Sequence, residues 1–191
     1  GRLDAFAPNS TKIHIDIDPS SINKNVRVDI PIVGDVGTVI QQLTKTWKAR
    51  KKRRTNGKAL RAWWEQIEAW QSVNCLAYSQ DKNTIKPQYA IERLYELTKD
   101  QETFITTEVG QHQMWAAQFY KFEKPYQWMT SGGLGTMGYG LPAAVGVQVA
   151  HPKKLVVDIS GEASFMMNMQ EIATAIQHRL AIKIFILNNQ Y

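Results

Sequence analysis

An acidic side chain and an amide side chain follow two apolar runs near the end of the chain. Glu162 comes shortly after the run at 155–159, and Asn189 comes shortly after the run at 181–187. Such runs predict buried parallel strands, and the intervening residues 168–178 predict the helix that connects them. Because right-handed crossovers place the ends of parallel strands at one sheet edge, the two side chains should converge there. Their oxygen atoms suit Mg²⁺, which proteins often hold together with phosphate oxygens, so we predict a magnesium and diphosphate site.

A second segment, residues 109–113, is typical of a phosphate-binding turn. It follows the predicted strand 103–107 and precedes a predicted helix at 114–120. Backbone N–H groups at a helix start can bind phosphate, and the side chain of Gln111 or His112 can donate as well. The alternative is that His112 caps the helix and finds all its hydrogen bonds within the protein.

A glycine-rich loop lies between these two segments. Gly133, Gly135 and Gly138 match the spacing G-x-G-x-x-G, and Asp158 lies twenty residues beyond, as in a dinucleotide-binding turn. The residues before the loop, 127–130, make a poor buried strand, and glycine also serves where the backbone needs a positive φ. A nicotinamide site and a purely conformational role both remain open for this loop.

The other periodic segments predict an α/β protein. Strands are predicted at 12–18, 26–30, 32–36 and 103–107, and helices around 39–43, 60–74, 87–98, 114–120 and 141–150. Pro87 and Pro142 both fit the first turn of a helix. The helix at 60–74 carries several tryptophans at helical spacing, a pattern more typical of packing than of chemistry.

The positive charge of the chain is local. The net charge is +6, and residues 45–61 alone contain nine Lys and Arg and no Asp or Glu. A basic run such as 48–54 can bind nucleic acid or act as a localisation signal. We favour the alternative, a solvated connector between two domains, because short basic runs are weak motifs.

The composition bears on the compartment. Cys75 is the only cysteine, which excludes an internal disulfide and is compatible with a reducing environment. No apolar run approaches the ~18 residues that a membrane span needs, and the first residues do not form a signal peptide. We therefore expect a cytoplasmic protein that binds neither membrane nor nucleic acid. Since the chain starts without Met and ends directly after a predicted strand, we interpret it as a piece of a longer protein.

Taken together, the chemical segments resemble a known family, the large catalytic subunit of acetohydroxyacid synthase (acetolactate synthase), which uses thiamine diphosphate. The resemblance is carried by residues 107–120, with the run Gly-Gln-His-Gln-Met-Trp, by residues 131–144, and by residues 186–190. It is dense from 87 to 191 and looser from 1 to 43, where it runs through 14–18 and 34–36.

The resemblance implies a domain organisation. The family has a pyrimidine-binding domain, a central FAD-binding domain and a diphosphate-binding domain, all α/β. Residues 1–47 would be the end of the central domain, residues 48–85 a basic linker with a Trp-rich helix, and residues 86–191 a doubly wound parallel-sheet domain for thiamine diphosphate and Mg²⁺, incomplete at its C-terminus.

The resemblance also implies cofactor contacts. Metal ligands would be Glu162, Asn189 and the carbonyl of Tyr191. The diphosphate would be surrounded by Val109, Gly110, Gln111, His112, Gly161, Ala163 and Ser164. The aminopyrimidine would touch Gly135 and Met137, and Met137 would be the wedge that bends the cofactor; without the resemblance Met137 would read as an ordinary core residue. FAD would be lined by Asp16, Ile17, Gly34, Asp35, Val36, Gln113, Met114, Gly132 and Gly133.

One departure from the family concerns the metal. Where the family usually has Gly-Asp-Gly, this chain has Gly161, Glu162 and Ala163. Glu is longer than Asp by one methylene group, so its carboxylate must be placed differently. Alanine, unlike glycine, does not readily adopt a positive φ. The departure therefore bears on the affinity or the identity of the metal.

The activity implied for the parent protein is a synthase reaction. It would decarboxylate pyruvate on thiamine diphosphate and condense the enamine with a second 2-ketoacid, forming acetolactate or acetohydroxybutyrate for branched-chain amino acids. The family implies a homodimer or homotetramer with its active site at the subunit interface, and it allows for a small regulatory subunit. Its activating glutamate lies in the pyrimidine-binding domain, so we expect no catalytic residue here and an inactive isolated chain.

Three alternatives remain open for the function. A sister thiamine-diphosphate enzyme, such as a pyruvate oxidase or another 2-ketoacid decarboxylase, would share the cofactor motifs. An NAD-dependent dehydrogenase would use the glycine loop. A non-enzymatic module would use the basic run to bind nucleic acid.

Overall fold

A computed structural model describes residues 2–50 and 56–189, and its contacts divide the chain into two compact units, residues 1–72 and 73–191. Residues 51–55, which overlap the basic run 48–54, lie outside the described residues, as do Gly1, Gln190 and Tyr191. In the described part of the chain no helix is both long enough and apolar enough to cross a membrane. Cys75 is exposed and unpaired, as a single cysteine must be.

The first unit contains a pair of parallel strands and two helices. Strand β1 (Ile13–Asp16) pairs with β2 (Ile30–Val33), and 3₁₀ turns occupy Leu3–Ala5 and Pro19–Ser21. Helix α1 (Val36–Ala49) follows β2 closely, and α2 (Gly57–Gln71) is the next helix described along the chain. Asp35 and Asn56 start these two helices, each accepting a backbone N–H with its side chain, which is the usual role of Asp and Asn at a helix N-cap.

The strand predicted at 26–30 is wrong except for its last residue. Strand β2 begins only at Ile30, because side chains hold the preceding backbone in a turn. The Lys12 N–H donates to the Asp29 carboxylate at 2.7 Å, and the Val28 N–H donates to the Asn23 side chain at 2.8 Å. Side-chain bonds of this kind compete with strand pairing.

The second unit is a four-stranded parallel sheet with helices on both faces, which confirms the predicted fold class. Its elements are α3 (Pro87–Thr98), β3 (Thr103–Thr107), α4 (Gln111–Phe119), β4 (Trp128–Thr130), α5 (Gly140–Ala150), β5 (Leu155–Ser160), α6 (Glu162–Met167), α7 (Glu171–Gln177) and β6 (Lys183–Ile186). The strand order is β4-β3-β5-β6, and every pair is parallel.

The pleat of the central strands divides the core into two layers. On one face, Ile105 and Val157 pack with Ile91 of α3 and Ala116 of α4. On the opposite face, Phe104 and Val156 pack with Ala144 of α5. Successive strand residues point to opposite faces, so both sides of β3 and β5 are buried, as in parallel sheets covered by helices on both faces.

Two predictions about elements of this unit need correction. The helix expected at 168–178 is α7, which begins only at Glu171, and a short helix that was not predicted, α6, precedes it and ends at Asn168 with φ −134° and ψ 26°. The poor strand at 127–130 contains β4, which pairs in parallel with β3. It lies at the sheet edge and is only half-buried, which is why it lacks the apolar run of a central strand.

Candidate functional site

The carboxyl ends of β3, β5 and β6 converge on one cavity of about 190 Å³. It is lined by Val109, Gly110, Gln111, His112, Trp115, Met137, Gly161, Glu162, Ala163, Ser164, Leu187 and Asn189. All but Trp115 and Leu187 are residues that the sequence marked as candidates. Whole small-molecule sites usually measure roughly 300–1,000 Å³, so this cavity suits one part of a ligand. The strand ends meet because the ladder continues past the strands: the Glu108 N–H donates to the Ile159 carbonyl, and the Leu187 N–H donates to the Ser160 carbonyl.

His112 is the buried polar group of this cavity. Its ring lies between two glycines: a Cβ at Gly110 or at Gly161 would come within 2.8 Å of ring atoms. Its Nε2 is buried and has no hydrogen-bond partner among the described residues. Burial lowers the pKa of His112, while a hydrogen bond to the Glu108 backbone and the charge of Glu162 act in the opposite direction. The interpretation of His112 as a fully satisfied capping residue is therefore wrong, and the ring offers a nitrogen to a ligand.

The N-terminus of α4 also opens at this cavity. The helix begins at Gln111, three residues earlier than predicted, and its N-cap Gly110 supplies no side-chain hydrogen bond. Gly110 has φ +152°, a backbone conformation that residues other than glycine rarely adopt. The first backbone N–H groups of a helix lack partners within the helix. An uncapped helix start beside a glycine is the arrangement in which proteins bind phosphate.

The two predicted metal ligands that the structure describes both line this cavity. Glu162 is the first residue of α6, directly after β5, and Asn189 follows β6. Within residues 2–50 and 56–189, no group of three or more His, Cys, Asp or Glu side chains could hold a metal. A carboxylate and an amide are thus a partial oxygen set, which matches Mg²⁺ held jointly with phosphate. The third predicted ligand, Tyr191, lies outside the described residues.

The departure at Ala163 has no backbone cost. Ala163 lies inside α6, whose residues have ordinary helical geometry, so no positive φ is needed there. The helix is tied to the end of β3 by the Ser164 hydroxyl, which donates to the Val109 carbonyl at 2.8 Å. The helix that begins with Glu162 is therefore anchored next to the phosphate-binding turn.

The glycine loop is organised by a residue that the sequence analysis missed, Glu108. Its side chain is fully buried and accepts hydrogen bonds from the backbone N–H groups of Gly138, Gly140 and Leu141. It thereby caps α5 from another element, since the N-cap residue Tyr139 makes no side-chain cap. Nothing in the sequence links an acid at 108 to a loop thirty residues later, so local pattern could not find it.

Asp158 does not fit the dinucleotide alternative. That motif requires an acidic residue accessible to a ribose, whereas Asp158 is fully buried within β5. Its carboxylate accepts hydrogen bonds from the hydroxyls of Thr106, at 3.0 Å, and Ser160. Burial raises the pKa of Asp158 to about 6 against those hydrogen bonds, and the charge of Glu108 adds to the rise. The glycine loop therefore lacks the accessible acidic residue that a nicotinamide site would need.

Of the other residues predicted at the glycine loop, one lines the cavity and three do not. Met137 lines the cavity and is 38% exposed, so it is not the ordinary core methionine of the alternative reading. Gly135, with φ +67°, is exposed and does not line the cavity. Gly132 and Gly133 are exposed as well.

The residues predicted to line FAD are divided between the two units. In the first unit, Asp16, Ile17, Gly34, Asp35 and Val36 lie together at the carboxyl ends of β1 and β2, where the Gly34 N–H donates to the Asp16 carbonyl. In the second unit, the Gln113 side chain donates to the Thr130 hydroxyl at 2.6 Å, and Met114 is exposed. Each group is therefore formed within its own unit.

Comparison with known families defines the class. The C-terminal TPP binding domain of thiamine pyrophosphate enzymes matches residues 108–191, which include all of the cavity residues. The central domain of thiamine pyrophosphate enzymes matches residues 1–43. The chain belongs to the thiamine pyrophosphate enzymes.

Within that class, the chain is a homologue of acetolactate synthase large subunits, which confirms the resemblance. It is 48% identical over 189 residues to the acetolactate synthase isozyme 3 large subunit of Escherichia coli, covering 99% of this chain and 33% of that protein. It is 49% identical over 187 residues to the large subunit of Buchnera aphidicola from Acyrthosiphon pisum, covering 98% and 32%. With the Haemophilus influenzae large subunit the identity is 44% over 190 residues, covering 99% and 32%. The chain thus spans about a third of the length of these relatives.

Proposed function

We propose that this chain is part of an acetolactate synthase large subunit that uses thiamine diphosphate, Mg²⁺ and FAD. The parent enzyme decarboxylates pyruvate and joins the product to a second 2-ketoacid, forming acetolactate or acetohydroxybutyrate for branched-chain amino acids. The observation that carries the proposal is the cavity where three strand ends bring the phosphate-binding turn, Glu162 and Asn189 together. Homology to large subunits over nearly the whole chain supports the choice of reaction.

The diphosphate is held by the turn at the start of α4. The uncapped backbone N–H groups there and the unpartnered Nε2 of His112 supply hydrogen-bond donors to phosphate oxygens. The ring already donates from its other nitrogen to the Glu108 backbone, so Nε2 donates to phosphate from the protonated ring, in which both nitrogens carry a proton. Burial lowers the pKa of His112, and the negative charge of a bound diphosphate acts in the opposite direction. Gly110 and Gly161 leave room for this ring, since a side chain at either position would collide with it.

Glu162 and Asn189 would hold Mg²⁺ together with phosphate oxygens, and the family resemblance adds the carbonyl of Tyr191, which lies outside the described residues. The glutamate is the single anionic side chain lining the cavity as the structure describes it, and the phosphate oxygens complete the oxygen set. When bound, thiamine diphosphate supplies the carbanion chemistry, and the protein positions and shields it. Met137 and Gly135 would contact its aminopyrimidine end, with Met137 as the wedge.

The proposal also includes the residues that bind FAD, the assembly of subunits and the cellular compartment. FAD would bind through the residues that the family resemblance assigns to it, of which a first set, Asp16, Ile17, Gly34, Asp35 and Val36, lies together in the first unit. The location of the first set beyond two parallel strand ends, where α/β sheets bind ligands, supports this assignment. We further propose a cytoplasmic homodimer or homotetramer with a small regulatory subunit, and the domain limits 1–47, 48–85 and 86–191.

A sister enzyme of the same cofactor class is the second candidate, because the matched family domains belong to thiamine pyrophosphate enzymes in general. A pyruvate oxidase or a 2-ketoacid decarboxylase would use the same cavity. Incubation of the full-length protein with pyruvate separates them, since only the synthase forms acetolactate.

The test of the metal site is Glu162→Gln in the full-length protein. This change removes the anionic ligand but keeps the volume, so we expect affinity for thiamine diphosphate in the presence of Mg²⁺ to fall at least tenfold, about 1.4 kcal/mol. The measurement is isothermal titration calorimetry. The matched control is Glu171→Gln, because Glu171 is also the first residue of a helix but does not line the cavity. Equal affinity in wild type and Glu162→Gln would remove Glu162 from the site.

A further inference from the structure

We propose that Glu108 and Asn168 are positioning residues that clamp Gly138 and thereby set the position of Met137 at the diphosphate cavity. This inference rests on the proposed function, because it assigns the clamp a role in thiamine diphosphate chemistry. Neither residue lines the cavity, and both act through the backbone of Gly138.

The first half of the clamp is the buried carboxylate of Glu108, directly after β3. One carboxylate oxygen accepts the Gly138 N–H at 2.6 Å. The other accepts the N–H groups of Gly140, at 2.9 Å, and Leu141, at 3.2 Å, at the start of α5. A single side chain therefore joins the end of the sheet, the last turn of the glycine loop and the helix that follows.

The second half is Asn168, the residue that ends α6. Its side-chain N–H donates to the Gly138 carbonyl at 2.6 Å. Since α6 starts with Glu162, this bond connects the loop to the helix that carries the predicted metal ligand. Gly138 has φ +88°, and a Cβ there would lie 2.6 Å from the Asn168 amide nitrogen, so the clamp also requires glycine at this position.

Met137 depends on this clamp because little else holds it. Its side chain is 38% exposed, so core packing does not fix it. On its N-terminal side, Leu134 is 94% exposed, and the Thr136 N–H bonds to the Ser131 hydroxyl within the same loop. Among the hydrogen bonds of the described residues, those at Gly138 tie this stretch to the sheet and to α6. Placement errors of about 1 Å can cost 10²-fold in rate.

The clamp requires a carboxylate rather than an amide. All three bonds to Glu108 come from N–H donors, and both of its oxygens accept. Glutamine has one accepting oxygen and one donating NH₂ group. In Glu108→Gln the NH₂ group would therefore lie against the N–H of Gly138 or against the N–H groups at the start of α5, and those bonds would be lost. Glu108→Asp keeps two accepting oxygens and should restore part of the function.

The experiment compares four variants of the full-length protein: Glu108→Gln, Glu108→Asp, Asn168→Ala and the control Gln148→Leu. Gln148 is a buried polar residue at the other end of α5, where it donates to the carbonyls of His151 and Lys154. Its loss should lower the melting temperature without touching the loop. The readouts are hydrogen–deuterium exchange of residues 131–141 without cofactor, thiamine diphosphate affinity by calorimetry, melting temperature, and exchange of the C2 proton of the bound cofactor.

We expect Glu108→Gln and Asn168→Ala to speed amide exchange in the loop and to slow C2-proton exchange by about ten- to 100-fold at saturating cofactor. Glu108→Asp should lie between Glu108→Gln and wild type, and Gln148→Leu should change neither readout. If Glu108→Gln does not fold, Asn168→Ala decides, because it removes a single bond.

Two results would overturn the clamp. Unchanged loop exchange in folded Glu108→Gln and Asn168→Ala would show that these bonds do not hold the loop. A loosened loop with wild-type C2-proton exchange would show that Met137 needs no such positioning. Failure of the proposed function is separate, because it appears as absence of thiamine diphosphate binding in the wild-type protein itself.

Discussion

At the scale of single residues, the second unit keeps two buried carboxylates close together behind the cavity. Glu108 accepts three backbone N–H groups, whereas Asp158 accepts two hydroxyl groups. Burial is the largest cause of the rise in the pKa of Asp158 to about 6, and the two hydroxyl donors only partly oppose it.

Asp158 should therefore destabilise the fold when it is charged. Its folded pKa is about 6, above the ordinary value of 3.8, so its contribution to stability is present below about pH 4 and is lost as pH rises through 6. We expect Asp158→Asn, measured by urea unfolding, to gain stability relative to wild type between pH 4 and pH 8 by about 3 kcal/mol.

The stability of Asp158→Asn must be compared with that of wild type at each pH, because His112 also makes stability depend on pH. Burial lowers its pKa from 6.5, so its contribution is present above that value and is lost as pH falls, the opposite slope. The difference between Asp158→Asn and wild type cancels it, because His112 is common to both. A pH-independent difference between the two proteins would contradict the assignment to Asp158.

At the scale of elements, the site depends on how closely α5 approaches the sheet. Gly140, the first residue of α5, lies against the backbone ends of β3: a Cβ there would come 2.7 Å from the Glu108 nitrogen and 2.9 Å from the Thr107 carbonyl carbon, and would also meet the Asp158 carboxylate. Only a glycine allows the helix start to reach the Glu108 carboxylate.

Two glycines of the same helix give a matched pair. Gly140→Ala should lower the free energy of unfolding by at least 1–3 kcal/mol, about the cost of overpacking, since the atoms it meets include backbone. Gly146→Ala should be neutral or stabilising by up to about 1 kcal/mol, because nothing lies within 4 Å of its added Cβ and alanine favours a helix. Chemical denaturation of both variants measures the difference. Equal effects would mean that α5 does not approach the sheet as described.

At the scale of the whole molecule, the chain corresponds to only a part of each relative that it matches. It spans about a third of the length of its relatives. In the described part of the first unit, Val39 is the sole buried hydrophobic residue, whereas the second unit has a core on both faces of its sheet. The cavity measures about 190 Å³, less than the roughly 300 Å³ at which whole small-molecule sites begin.

The isolated 191-residue chain should therefore have no synthase activity. The activating glutamate of the family belongs to the pyrimidine-binding domain, and none of the predicted site residues replaces it. The measurement is acetolactate formation from pyruvate by the purified chain with thiamine diphosphate, Mg²⁺ and FAD, with the full-length protein as the positive control. Acetolactate from the chain alone would contradict the assignment of its domains.

Many residues of the site could be predicted because they follow strands that short sequence patterns reveal. The apolar runs predicted β3, β5 and β6, and a parallel sheet places whatever follows such strands at one edge. For that reason Gln111, Glu162 and Asn189 could be assigned to one site from the sequence, and the cavity contains all three. The family resemblance added Met137, which no local pattern distinguishes from a core methionine.

Only the tertiary structure decided the rest, because those features are contacts between distant segments. The sequence does not show that Glu108 meets the amides of Gly138 and α5, that His112 keeps an unpartnered nitrogen, or that a separate short helix begins at Glu162 before the predicted one. Edge strand β4 was not predicted, because a half-buried strand carries no continuous apolar run. Periodicity and turn chemistry act over a few residues and are visible in the sequence, whereas hydrogen-bond partners and burial depend on which segments the fold brings together.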